Sequence, residues 1–173
     1  MQNHIIRVWA SAEEHKREEE LAWKLAILAS DEAPIEKSVE SMVINRIIDN
    51  AGVAMASLNR SPVITAREQA LPHRRSNGAT LFGTSNDYQV HAEWAAWANG
   101  TAVRELDFHD TFLHLEFGHP GDNICPLIAV AQQMQRTGID LIRGIATAYE
   151  VHVSLMKSIQ LHVHKIDHVA HTG

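Results

Sequence analysis

Apolar residues recur at spacings of three and four between positions 35 and 59, and this feature constrains the fold more than any other. Because three to four residues make one helical turn, residues at these spacings share one face of an α-helix. Pro34 precedes the run, where the first turn of a helix tolerates proline. The pattern therefore predicts a long, largely buried helix from Ile35 to about Asn59, whose buried face comprises Val39, Met42, Val43, Ile47, Ala51 and Ala54.

Similar signals predict helices over most of the remaining chain. Ser11 and Glu14 have capping-box spacing and predict a helix that ends near Ser30. Further helices are predicted from Val63 to Leu71, from Tyr88 to Asp110 as one helix or two short ones, from Ile124 to Arg136 with Asn123 as N-cap, and from Ile139 to about Gln160. Residues 72–78 predict an exposed loop, and residues 79–83 predict a brief extended piece.

The order of these elements predicts the fold class. The sequence contains no internal repeat and no alternation of strands with helices. An all-α fold follows, a helical bundle with long loops between its helices. The length of 173 residues fits one domain, so we expect residues 1–173 to form a single helical domain.

Composition excludes several kinds of partner and site. The net charge of −6 leaves no broad basic face for nucleic acid. No segment approaches the roughly 18 uninterrupted apolar residues of a membrane span, and the N-terminus lacks the apolar core of a signal peptide. A single cysteine, Cys125, excludes an intramolecular disulfide, an iron–sulfur cluster and a zinc ribbon. We therefore expect no nucleic-acid or membrane partner and a location in the reducing cytoplasm.

The densest group of polar residues lies between positions 106 and 123, in a chain with twelve histidines. Polar residues there alternate with Phe and Leu, so several ionisable groups are expected beside apolar surface, where pKa values shift. If this stretch is helical, Arg104, Asp107 and Thr111 share one face, and Asp110 lies three residues after Asp107. His119 lies just before a predicted helix N-terminus, where free N–H groups hold anions.

Each of these residues also has an ordinary structural interpretation. Asp107 and Arg104 fit an ion pair at a helix end, and Thr111 fits a helix cap. Asp122 and Asn123 fit a capping pair for the following helix. A lone histidine is more often a packing residue than a catalytic one. The group as a whole favours a site more strongly than any single member does.

Three segments resemble the MmgE/PrpD family. They are Asn99–Ala102 leading to Leu106–Thr111, then Gly118–Asn123, and finally Lys165–His168. Their order and spacing are more specific than a lone pattern. The resemblance implies the N-terminal portion of that family's helical domain. It also implies a cytoplasmic hydro-lyase of propionate breakdown that removes water from 2-methylcitrate, a small tricarboxylate, to give 2-methyl-cis-aconitate without metal or other cofactor.

The resemblance also implies site residues and a partner. The family's catalytic residues match Asp107, Thr111, His119 and His168, and Asp110 belongs to the same motif. Dehydration beside a carboxylate needs a base, an acid and positive groups for the carboxylates, so Arg104 and Lys165 join Asp110 as expected substrate-binding residues. We expect His119 to transfer the proton, Asp107 to orient His119, and Thr111 to donate a hydrogen bond to the substrate. His168 is expected to act as the acid or to bind a carboxylate. Family members are typically homodimers, which implies a homodimer here.

Two other interpretations stay open. Complete members of the family are much longer, so the chain is an incomplete N-terminal domain and fits a non-catalytic fragment that needs a complementary chain. A metal-dependent hydrolase is the other alternative, because His109 and Asp110 form an adjacent His-Asp pair. Four further histidines, His114, His119, His162 and His164, are available as ligands.

Overall fold

The structure is a computed structural model that describes residues 5–32, 34–114 and 116–166. The chain divides into two compact units, Met1–Pro34 and Ile35–Gly173. Whether residues 1–173 act as one domain stays a prediction. The first unit holds a short 3-10 turn, Arg17–Glu19, and helix α1, Leu21–Ala29, neither of which has a buried residue.

The predicted start of the first helix is wrong. Ser11 lies in a turn, and α1 begins only at Leu21, after Glu20, with no side-chain cap. Glu14 and Glu18 stand four residues apart, and like charges at this spacing disfavour a helix. The segment is instead held by local contacts, since the Trp9 ring stacks on His15 with ring centroids 4.5 Å apart.

The second unit contains five helices and two pairs of short strands among the described residues. The helices are α2 Lys37–Ser57, α3 Ser61–Ala70, α4 Ala92–Arg104, α5 Ile124–Gln133 and α6 Gly138–Ser158. The strands are β1 Arg74–Thr80, β2 Gln89–Val90, β3 Phe112–Leu113 and β4 Phe117–Gly118. The long second helix is confirmed, but it is not largely buried, because Val39, Met42 and Ala51 of its predicted buried face are exposed. The chain is mostly helical. It is not purely all-α, because β1 pairs with β2 and β3 pairs with β4, both antiparallel.

Strand β1 corrects the prediction of a loop at residues 72–78. Arg74 and Ala79 both oppose Val90, so the strand bulges between them. Asn77 takes the left-handed backbone conformation within the bulge, with φ of 55°. Its neighbour Gly78 lies so close to the Val90 carbonyl that a β-carbon there would overlap the carbonyl oxygen. The Asn-Gly pair therefore permits a bulged strand in a segment whose composition resembles a loop.

Helix α4 is shorter than the predicted span from Tyr88 to Asp110. It ends at Arg104, and Asp107 takes the left-handed conformation with φ of 57°. Arg104, Asp107 and Thr111 therefore do not share a helix face. The Asn99-Gly100 pair does not interrupt α4, because the buried Asn99 side chain accepts from Phe82 N at 2.9 Å and donates to Thr80 O at 3.0 Å.

Small residues bring the helices of the second unit close together. Helix α4 buries a face of alanines, Ala92, Ala95, Ala98 and Ala102. Ala102 also lies in a cluster with Ala54 of α2, Val63 of α3 and Cys125 of α5. A second cluster joins Val43, Ile124 and Ile145 from α2, α5 and α6. These contacts fix the end of α4 and the start of α5 against α6, where the predicted site residues lie.

No helix within the described ranges combines the length and the apolar character needed to cross a bilayer.

The N-terminus of α6 carries a capping box. The Thr137 hydroxyl oxygen accepts from Asp140 N at 3.3 Å, and Oδ2 of Asp140 accepts from Thr137 N at 3.2 Å. We expect Thr137→Ala to lower the free energy of unfolding by about 1 kcal/mol, because it leaves the first-turn N–H without this acceptor. Urea titration followed by circular dichroism measures the change. Thr147→Ala, within the same helix, is the matched control, and an equal loss in both variants contradicts the capping role.

Candidate functional site

Arg104, at the end of α4, connects the loop that follows it to the turn before α5. Its Nη1 lies 2.9 Å from Nε2 of His109 and 3.1 Å from Oδ2 of Asp122. Burial raises the pKa of the Asp122 carboxyl, and the Arg104 cation opposes this shift. Burial is the larger effect, so Arg104 does not fully compensate the desolvation of Asp122.

His109 is buried, and its ring accepts a hydrogen bond from Arg104. The Arg104 guanidinium can only donate, so Nε2 of His109 accepts and the proton of the neutral ring lies on Nδ1. Burial, and then the neighbouring Arg104 cation, lower the pKa of His109. Within the described chain Nδ1 has no hydrogen-bond partner. The lowered pKa and the hydrogen bond from Arg104 both favour the neutral ring of His109, which orients the guanidinium.

The hydrogen bonds of His119 fix which of its two ring nitrogens carries the proton of the neutral ring. Its Nδ1 lies 2.9 Å from the backbone carbonyl oxygen of Asp110 and 3.2 Å from the Thr111 hydroxyl. Because a carbonyl only accepts, the neutral ring carries its proton on Nδ1 and its lone pair on Nε2. The ring is half-buried and meets His109 edge-on, with centroids 4.1 Å apart. His119 can therefore take a proton at Nε2.

Asp110 connects this loop to two other elements. Oδ1 accepts from Gly121 N at 2.8 Å, and Oδ2 accepts from the Tyr149 hydroxyl at 2.7 Å. A β-carbon on Gly121 would overlap Oδ1, so the close approach requires glycine there. Both carboxylate oxygens thus have partners within the protein. A direct substrate contact by Asp110 stays a prediction.

Asp107 and Thr111 both lie on the exposed side of the site. The group that orients His119 in the structure is the Asp110 carbonyl, not the carboxylate of Asp107. The Thr111 hydroxyl lies 3.2 Å from Nδ1 of His119. The roles of Asp107 and Thr111 toward a substrate stay predictions.

The last two predicted residues are placed only in part. Lys165 is exposed and takes the left-handed conformation, with φ of 56°, after the 3-10 turn His162–His164. His168 lies outside the described residues. Both assignments stay predictions.

Sequence reasoning missed Tyr149 and His152, which α6 brings to the site. Nδ2 of Asn123 donates to Pro120 O at 3.0 Å and lies 3.1 Å from Nδ1 of His152. Because the Pro120 carbonyl fixes Nδ2 as the donor, His152 accepts at Nδ1 and carries its proton on Nε2. Asn123 is the N-cap residue of α5, as predicted, but its side chain makes no capping hydrogen bond to the helix.

A sequence signal for these two residues exists. Tyr149 and His152 lie on the same face of α6 as the buried Ile145 and Met156, at steps of four, three and four residues. Polar residues inside an apolar stripe mark positions that need buried partners. Here those partners are Asp110 and Asn123.

The His-Asp pair does not converge on a common point. His109 faces Arg104, whereas Asp110 faces Gly121 and Tyr149. His162 lies against the buried Glu116, with Nδ1 3.2 Å from Oε2. Among residues 5–32, 34–114 and 116–166, no group of three or more His, Cys, Asp and Glu side chains is arranged to hold a metal ion.

Burial of His152 predicts a loss of stability in mild acid. Burial lowers the pKa of His152 below 6.5, so the unfolded chain binds a proton at a higher pH than the folded chain. The contribution of His152 to the free energy of unfolding is therefore fully present above pH 6.5. It is lost as the pH drops from 6.5 toward the lowered pKa. One such group contributes a slope of at most about 1.4 kcal/mol per pH unit.

Urea titrations across this pH range test the prediction. We expect His152→Gln to give a shallower fall than the parent chain, since glutamine does not titrate. His109, whose pKa is also lowered, contributes a fall of the same sign that remains in the variant. Identical slopes for the parent and the variant contradict the assignment to His152.

Comparisons with known proteins give consistent matches. A family model described as the MmgE/PrpD N-terminal domain matches residues 19–173. The mitochondrial 2-methylcitrate dehydratase of Yarrowia lipolytica is 35% identical over 104 residues, covering 54% of this chain and 20% of the relative. The 2-methylcitrate dehydratase of Cupriavidus necator is 30% identical over 118 residues, covering 68% of this chain and 24% of the relative. The chain thus spans about a fifth to a quarter of these relatives.

Proposed function

The chain belongs to the MmgE/PrpD family, and on that premise we propose that it provides the proton-transfer part of a hydro-lyase site. The proposed substrate is 2-methylcitrate, and the product is 2-methyl-cis-aconitate. The similarity to several 2-methylcitrate dehydratases supports this choice. The proposed location is the cytoplasm, and the proposed assembly is a homodimer.

The orientation of His119 is the observation that carries the proposal. A base must remove a proton from the carbon beside a carboxylate, and hydroxide must leave from the neighbouring carbon as the double bond forms. Since Nδ1 of His119 donates to the Asp110 carbonyl, Nε2 is the atom that takes the carbon-bound proton. Protonation of the leaving hydroxide gives water, so the products are the alkene and one water molecule.

Arg104 supplies the positive charge that a polycarboxylate needs. Its side chain is 37% exposed, and both of its side-chain hydrogen bonds to the described residues use Nη1. A guanidinium carries five N–H donors in a fixed fork that matches a carboxylate. We assign Arg104 to a substrate carboxylate, with Thr111 bonding the substrate beside His119. Lys165 and His168 are proposed to complete carboxylate binding and to assist departure of hydroxide.

An assay of 2-methylcitrate and citrate dehydration tests the proposal. The chain is assayed alone and with the remainder of a family member supplied as a second polypeptide, and the ultraviolet absorbance of the alkene is followed. We expect alkene from 2-methylcitrate in the mixture that contains both parts. No alkene from either substrate in that mixture, once the two parts are shown to associate, contradicts the proposal.

A second candidate is a non-catalytic part that acts only in a two-chain assembly. Helix α2 favours it, because Met42, Ile48 and Met55 are each more than half exposed. A cavity of about 370 Å³ between α2 and α6 is lined in part by Val39, Met42 and Val153. We propose the remainder of a family chain as the group that covers this surface. Analytical ultracentrifugation of the two parts tests the association, and dehydration by the chain alone overturns this candidate.

A further inference from the structure

Asp110 affects His119 through two different groups of one residue. Its backbone carbonyl accepts from Nδ1 of His119, and its carboxylate is held by Gly121 N and by the Tyr149 hydroxyl. Asp110 lies in a loop between α4 and β3, so no helical or sheet hydrogen bond fixes its backbone. The contacts of its side chain therefore set the position of its carbonyl.

We infer that Tyr149 is a positioning residue for His119, because its hydroxyl holds the residue whose carbonyl selects the Nδ1–H form of the ring. The contact spans 39 residues and comes from the middle of α6. Tyr149 thus connects the loop after α4 to the middle of a long helix. This inference rests on the proposed proton-transfer role of His119, but its test measures a tautomer and not turnover.

The Tyr149 hydroxyl stays protonated and so can always donate its hydrogen bond to Asp110. Burial, and then the hydrogen bond to Asp110, raise the pKa of the Tyr149 hydroxyl, so it keeps its proton under ordinary conditions. The other side of the carboxylate is the Gly121 amide, which also only donates. Asp110 therefore has two fixed donors, and its orientation does not depend on a titrating partner.

The tautomer of His119 is read from nitrogen-15 chemical shifts of its imidazole by long-range correlation spectroscopy, at a pH where the ring is neutral. In the parent chain we expect the Nδ1–H form to dominate. In Tyr149→Phe, which keeps the ring and removes the hydroxyl, we expect the ratio of the Nδ1–H to the Nε2–H form to fall about fivefold. Tyr88→Phe removes the other tyrosine hydroxyl of the chain and is the matched control, with an unchanged ratio expected.

Asp110→Ala removes the acceptor of the Tyr149 hydroxyl, together with that of Gly121 N, and serves if Tyr149→Phe does not fold. An unchanged tautomer ratio in a folded Tyr149→Phe or Asp110→Ala chain overturns the inference. A shifted ratio supports it even if no assembly dehydrates 2-methylcitrate, in which case only the proposed function fails. Dehydration by the parent assembly with an unshifted ratio in the variants leaves the function standing and removes the positioning role of Tyr149.

Discussion

His119→Ala is expected to lower the turnover number for 2-methylcitrate dehydration by roughly 10²- to 10⁴-fold in an active assembly. The variant removes the ring whose Nδ1 donates to the Asp110 carbonyl and whose Nε2 is thereby left as the proposed base. Because the proposed loss lies in the transition state, we expect the turnover number to fall more than the Michaelis constant rises. Initial rates of alkene formation at several substrate concentrations measure both quantities.

His114→Ala is the control for this experiment. His114 is exposed in the turn between β3 and β4, five residues before His119, so His114→Ala removes a nearby imidazole. We expect its turnover number to match that of the parent assembly. A near-parental turnover number for His119→Ala removes His119 as the acid-base group, and an equal loss in both variants assigns the effect to the loop.

Gly78→Ala is expected to lower the free energy of unfolding by about 3 kcal/mol. A β-carbon at this position would overlap the Val90 carbonyl oxygen and lie 2.9 Å from the Val90 carbonyl carbon and 3.0 Å from the Arg75 carbonyl oxygen. These are backbone atoms, so no side chain can rotate away to relieve the clash. The pairing of β1 with β2 must open, which exposes Ala79 and Val90. Urea unfolding at equilibrium measures the loss.

Gly52→Ala provides the opposite expectation in the same unit. Gly52 lies within α2, and no atom lies within 4 Å of a β-carbon placed there. Alanine in a helix interior is favoured over glycine by about 0.5–1 kcal/mol, so we expect this variant to be more stable than the parent. A Gly78→Ala chain that is as stable as Gly52→Ala shows that the bulge does not need glycine.

Hydrophobic periodicity predicted helices best where packing and local preference agree. The run from Ile35 to Asn59 is such a case, and α2 covers most of it. The capping box at Ser11 is a local signal without a buried face behind it, and no helix forms there. Strand β1 escaped prediction because its first four residues are exposed and polar, whereas the buried Ala79 and Val90 that anchor it lie outside any long apolar run.

The part of the candidate site whose residues lie close together in the sequence could be predicted. Arg104, Thr111 and His119 come together because one loop carries them from α4 to α5. The shared helix face of Arg104 and Asp107 was wrong, since the left-handed conformation of Asp107 is set by the turn that ends α4. Tyr149 could not be assigned to Asp110 from spacing, because only the packing of α6 brings it there.

Cys125 makes the core of the second unit observable without an engineered label. The side chain is 2% exposed, and burial raises the pKa of its thiol to about 12. Alkylating reagents attack the thiolate, so labelling of the folded chain has to wait for an opening of the core. Cys125 touches a cluster to which α2, α3 and α4 all contribute. The rate of thiol modification therefore measures how often α2, α3 and α4 separate around Cys125 in the folded chain.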